Sequence, residues 1–225
     1  MKRLIYVLVW ATLGLASVPA FALPSLQLDI LGGYYNQTGN SLYDDQTVVA
    51  SRQNFTLYAL MELSRKTPLG DTYYLSMALF PNTASTGDPG SFIFNGRTID
   101  VSEDMVYGNP GLPAHGIYQT NYFLYDFTFN HENTVGRYNV QDDPGGFGQP
   151  GSSLYYAAFN VDTSGLASGL SIHFDLFNSK TKAPFSHDAQ SFASESHYAI
   201  PEPATFLLLA SGLAGLISLR RSKQS

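Results

Sequence analysis

The sequence predicts an all-β protein, an antiparallel β-sandwich of the jelly-roll or immunoglobulin-like kind, on three observations. Apolar and aromatic residues alternate with period two through most of the chain, and helical periodicity is missing from the same stretches. Clusters of Gly, Pro, Asn and Asp punctuate these runs at short intervals. Tyr and Phe are abundant, 15 of each in 225 residues, while cysteine is absent. Stability must therefore come from aromatic and aliphatic packing, and disulfides, cysteine-zinc sites and thiol catalysis are ruled out.

The predicted elements follow in order. Leu26, Leu28 and Ile30 alternate up to Gly32-Gly33, and Tyr34-Tyr35 follows. Phe55, Leu57, Ala59, Met61 and Leu63 line one face of the next candidate, with Thr56, Tyr58 and Leu60 on the other. Further strands are predicted at 72–80, 91–101, 122–130, 154–162 and 170–178, giving about eight in all. Pro68-Leu69-Gly70-Asp71, Gly87-Asp88-Pro89-Gly90, Asn109-Pro110-Gly111 and Asp142-Asp143-Pro144-Gly145-Gly146 supply turns between them. The stretches 36–52 and 103–121 read as long loops or short edge strands. No internal repeat points to a solenoid or propeller.

The two ends differ in kind from this body. Residues 1–22 combine a cationic start (Lys2, Arg3), an apolar run and the small-residue pattern Ala20-Phe21-Ala22. That is the layout of a signal peptide for the Sec translocon, with signal peptidase expected to cut between Ala22 and Leu23. Residues 204–219 carry no charge and end at Arg220-Arg221. As a helix this stretch would be only about 22–24 Å long, short for a hydrocarbon core of about 30 Å, but local thinning accommodates it. The arginines then mark the cytoplasmic side of the inner membrane. The expected division is thus 1–22 signal peptide, 23–178 sandwich, 179–200 polar stalk and 201–225 C-terminal segment.

Pro201-Glu202-Pro203 precedes that helix. Its prolines keep the backbone extended and withhold two amide donors, so helix cannot propagate into the tripeptide. Pro-Glu-Pro, an apolar helix with small residues and a basic stop together resemble the PEP-CTERM sorting signal of exopolysaccharide-producing Gram-negative bacteria. The resemblance implies that the membrane protease-transpeptidase exosortase reads the tripeptide and removes the tail, the nucleophile belonging to that enzyme.

Without its end segments the chain becomes strongly acidic. The full sequence holds 12 Lys+Arg and 18 Asp+Glu; five of the bases (Lys2, Arg3, Arg220, Arg221, Lys223) and one acid (Glu202) lie at the ends. The body 23–200 keeps 7 basic and 17 acidic residues, a formal charge of −10. Such a surface repels polyanions, so nucleic acid is not an expected partner. The stretches 23–35, 90–96, 114–118, 142–146, 154–162 and 183–191 are together similar to the exported choice-of-anchor N group. That likeness implies a surface protein and supplies no catalytic residues.

Four places offer candidate chemistry. Asp142 and Asp143 sit on a tight loop of the kind Ca2+ uses, without the alternating acids of an EF-hand; an Asp-Pro-Gly turn with ordinary exposed acids is the simpler reading. His187 and Asp188, with Glu195 and His197 close behind, offer imidazole and carboxylate donors to a metal, but no HExxH spacing is present and a solvated turn in the stalk is the simpler reading. His173 and Asp175 share one face of a strand whose other face is Ile172, Phe174 and Leu176, which reads as an outer, solvated face. Neighbouring tyrosines at 34–35, 73–74 and 155–156 point to opposite faces, so outer rings offer a stacking surface for sugars. Catalytic residues and cofactors other than Ca2+ are not expected. The sequence reads as an exported, non-enzymatic surface or matrix protein of a biofilm former; a module binding exopolysaccharide and a polysaccharide-cleaving enzyme are the alternatives.

Overall fold

The computed structural model describes residues 24–35, 47–81, 87–181 and 189–191. The expectations for the chain's ends, at Ala20, Ala22 and Leu23, Pro201 to Pro203, the expected helix 204–219 and Arg220-Arg221, fall outside the described residues, as do His187 and Asp188. The described residues are all-β, with thirteen strands: β1 Leu26–Ile30, β2 Tyr34–Tyr35, β3 Val48–Val49, β4 Asn54–Met61, β5 Tyr73–Phe80, β6 Ser91–Phe94, β7 Arg97–Asp100, β8 Val106–Gly108, β9 Thr120–Phe127, β10 Thr134–Val135, β11 Leu154–Asp162, β12 Ser171–Asn178 and β13 Ala189–Gln190.

These form two sheets. The first runs β1-β4-β11-β6-β7, with β10 also paired to β11; the second runs β2-β3-β13-β12-β5-β9-β8. Every pairing is antiparallel except β13 with β3. The inward residues of both sheets form one core, including Leu28, Leu57, Phe159, Met77, Phe174 and Ile172. Aromatic rings meet across it. Phe55 lies edge-on to Phe174 at 6.2 Å, Phe94 to Tyr125 at 5.0 Å and Phe127 to Phe159 at 5.1 Å. Such edge-to-face pairs place the positive edge of one ring against the negative face of the other.

Two elements differ from expectation. The run 91–101 is a hairpin, with Asn95 (φ 48°) and Gly96 (φ 79°) at its turn. Both central residues of a type I′ turn need positive φ, which Asn and Gly accept most readily, and this turn chemistry overrides the continuous β pattern. The stalk expected from residue 179 is also interrupted. Asn178 Oδ1 accepts hydrogen bonds from the Lys180 and Thr181 amides, turning the chain as it leaves β12. Ala189–Gln190 then pairs with both β12 and β3, and Ala189, Gln190 and Ser191 are buried. The folded body therefore continues to Ser191.

Both sheets carry an irregular segment on their outer face. Gln27 and Asp29 point away from the core on β1 yet are buried, at 1% and 0% exposure. Residues 138–147 cover them. The Tyr138 hydroxyl donates to Asp29 Oδ2 at 2.9 Å, Gly145 N donates to Asp29 Oδ1 at 2.7 Å, and Val140 N donates to Gln27 Oε1 at 2.9 Å. Phe147 stacks on Tyr58 with centroids 3.5 Å apart and meets Tyr156 edge-on. Gly145 is required twice: its φ is 76°, and a Cβ would come within 2.5 Å of the Gly33 carbonyl oxygen. Residues 109–118 play the corresponding part on the second sheet.

Candidate functional site

Outward positions on the second sheet are set by strand register. Asp175 of β12 lies opposite Ser76 of β5, which lies opposite Leu124 of β9; one pair along, His173 lies opposite Ala78 and then Tyr122. Period two alone puts His173 and Asp175 on the same side. The segment 109–118 then crosses this face. Asn109 anchors its start, its Oδ1 accepting from Gly111 N and Leu112 N at 2.8 Å each. Ile117 packs on Ala78 and Phe80, with Tyr118 and Tyr122 beside them.

Beneath this segment His115 meets β12. His115 Nε2 is 3.1 Å from Asp175 Oδ1, and His173 Nε2 is 3.4 Å from the same oxygen. The side chains of His115, His173 and Asp175 are 5%, 3% and 0% exposed. His115 Nδ1 lies 2.9 Å from the Pro113 carbonyl oxygen. A carbonyl can only accept, so Nδ1 carries hydrogen. Tyr118 donates its hydroxyl hydrogen to Asp175 Oδ2 at 2.7 Å, and its oxygen is 2.7 Å from Ser76 Oγ. One carboxylate oxygen is thus fixed by Tyr118 while the other faces two imidazoles.

The electrostatics follow from that arrangement. Burial alone would raise the Asp175 carboxyl, but the charge of His173 and hydrogen bonding from both imidazoles outweigh it and hold the group well below the usual carboxylate range. Burial alone would lower His115; its hydrogen bond to Asp175, the charge of that carboxylate and the Pro113 carbonyl outweigh burial, and the imidazole sits above its ordinary value. An ionised carboxylate can stay in this setting only with cationic neighbours.

His173 and Asp175 are therefore not on a solvated face, which corrects the sequence reading. The segment 109–118 covers them. A signal was available in Phe177, which shares their face and is itself buried; an aromatic ring beside two ionisable groups marks a covered surface. His115 carried no comparable signal, because its partners are distant in sequence. Asp142 and Asp143 are exposed. Asp142 Oδ2 accepts from Asn139 Nδ2 at 3.0 Å, and both Asp amides donate to the Asn139 carbonyl, so these residues close a turn. Among the described residues, three metal-ligating side chains gather only at His115, His173 and Asp175.

A cleft of about 360 Å³ opens on the same outer face, lined by Tyr74, Pro110, Leu124, Phe177, Asn178 and Ser179. Tyr74 and Phe177 stack there at 5.4 Å and 27°. Of the tyrosine pairs, Tyr73-Tyr74 differs in burial, Tyr73 fully buried and Tyr74 half-buried, whereas Tyr155 and Tyr156 are both half-buried.

Residues 199–222 match the family model described as the PEP-CTERM protein-sorting motif. No curated protein and no solved structure matches the chain. The motif implies an exported chain, a membrane-anchored precursor and processing by exosortase.

Proposed function

We propose that the chain is a non-enzymatic surface or extracellular-matrix protein of an exopolysaccharide-producing Gram-negative bacterium. It is exported through the Sec translocon, cut by signal peptidase after Ala22, held in the inner membrane by 204–219 and processed by exosortase near Pro201-Glu202-Pro203. The observation that carries this reading is the sorting motif at 199–222, which follows a folded two-sheet body. Residues 192–200 lie between Ser191 and the tripeptide and reach at most about 30 Å when extended. The similarity of the body to the choice-of-anchor N group accords with a surface role. A non-catalytic role is supported by the sealing of the convergent ionisable groups beneath 109–118, out of a substrate's reach. The test is to replace Pro201-Glu202-Pro203 by three alanines in the native host. The altered chain is expected to stay in the membrane fraction at precursor mass; normal surface delivery at mature mass would refute the reading.

The cleft at Tyr74 and Phe177 favours a second reading, a module that binds matrix polysaccharide. An aromatic wall with an apolar neighbour, Leu124, suits the carbon-bearing face of a sugar ring. Its test is retention on exopolysaccharide from the host, with Tyr74→Ala as the comparison; equal retention of both proteins would remove it.

A further inference from the structure

We propose that His115, His173 and Asp175 bind a divalent transition-metal ion of the zinc class, clamping the segment 109–118 to the second sheet. The proposal is independent of the sorting reading, because it rests only on the folded body. The three donor atoms lie within 4.8 Å of one another. More tellingly, the two nitrogens stand 3.1 and 3.4 Å from one carboxylate oxygen. Donors held at about 2.0–2.1 Å from zinc at tetrahedral angles are about 3.3–3.4 Å apart. Two of the three donor separations thus match edges of a coordination tetrahedron, and the third lies within 4.8 Å.

The surroundings point the same way. Pro113 holds hydrogen on Nδ1 of His115, which leaves Nε2 to present a lone pair in the neutral ring. Tyr118 occupies Asp175 Oδ2, backed by Ser76, and so aims Oδ1 at the two imidazoles. Backbone and hydroxyl partners that orient metal ligands are the usual supports of such sites. A 2+ ion also neutralises the buried carboxylate without an imidazolium beside it. Two imidazoles with one carboxylate select zinc or a similar ion over Ca2+, which prefers six or more oxygens. Three protein ligands leave a fourth position for water. With the side chains sealed from solvent, the ion's role is to fasten the fold.

The experiment uses the full chain purified in detergent, stripped with a chelator and titrated with Zn2+ alone in the presence of excess Ca2+. His115→Gln is the variant of choice because the residue lies on a segment outside the two sheets; circular dichroism and the melting curve confirm that it folds. Wild type is expected to take up one tight equivalent and to melt higher when loaded. Affinity for that equivalent is expected to fall at least about 100-fold in His115→Gln and about 10-fold in Tyr118→Phe. The stripped wild type charged with Co2+ should show the visible absorption of a tetrahedral nitrogen-oxygen site. No tight equivalent in wild type, or an equal one in wild type and His115→Gln, would overturn the proposal.

Discussion

The Tyr118 hydroxyl donates a 2.7 Å hydrogen bond to Asp175 Oδ2, and the Tyr138 hydroxyl makes a matching bond to Asp29 on the opposite sheet. Each pair joins an outward-pointing aspartate on a strand to a tyrosine on an irregular segment, and each aspartate is fully buried. The sandwich thus has a second layer on both sides, and each layer is tied to its sheet through one buried carboxylate among its contacts.

Asp175→Asn keeps the shape of the side chain and removes its charge, leaving two imidazoles without their shared anion. Removing one partner of a buried ionic group costs about 3–5 kcal/mol. A loss of about 3 kcal/mol is expected in urea denaturation of metal-free protein. Tyr118→Phe, which deletes one hydroxyl, is expected to cost about 1–2 kcal/mol.

Asp29→Ala strips acceptors from Gly145 N, Ile30 N and the Tyr138 hydroxyl at once. About 2–4 kcal/mol is expected, because buried donors left without acceptors cost about 1–3 kcal/mol each and some regain water. Loss of protection at the Gly145 and Val140 amides in hydrogen exchange would show the segment 138–147 lifting. Full protection in the variant would contradict the anchoring role.

A pH dependence follows from the same carboxylate. Burial raises the folded-state value of Asp29 above its ordinary range, against the opposing hydrogen bonds from Gly145, Tyr138, Ile30 and Phe147. The charges of Tyr58 and Asp143 also act on Tyr138, the hydroxyl partner of Asp29. An acid whose folded pKa is raised binds more protons folded than unfolded. Its contribution is present below about pH 4 and is lost as pH rises through the folded value. Asp29→Asn has no such slope, so its stability deficit relative to wild type is expected to shrink from pH 4 upward. A deficit that grows over this range would reverse the sign and refute the assignment.

Gly145→Ala forces a Cβ onto the Gly33 backbone at a positive φ. A loss of at least about 1–3 kcal/mol is expected, measured by thermal melting. Gly70→Ala, where no atom lies within 4 Å and φ is not positive, is the control expected to be nearly neutral.

How much of this was legible follows from where each constraint acts. Strands such as 154–162 could be read because their alternation reports on nearest packing, and β11 spans Leu154–Asp162 as expected. The hairpin at Asn95-Gly96 was legible in its turn dipeptide but was subsumed in a continuous β pattern. Of the two outer layers only the second left a trace in the sequence, Phe177 on the face of His173 and Asp175. Gln27, Asp29, His173 and Asp175 sit at alternating polar positions, which normally mean solvent; only a distant, irregular segment decides otherwise. The strand Ala189–Gln190 was hidden for a related reason, since two short residues in a polar stretch are held by ladders to β12 and β3 rather than by local pattern.

Intact mass of the protein taken from the outer surface of its native host, beside a host lacking exosortase, tests the sorting reading most directly. The reading predicts a chain running from Leu23 to the neighbourhood of Pro201 in the first and a retained C-terminal tail in the second. The tail present in both hosts would contradict it and make 204–219 a permanent membrane tether.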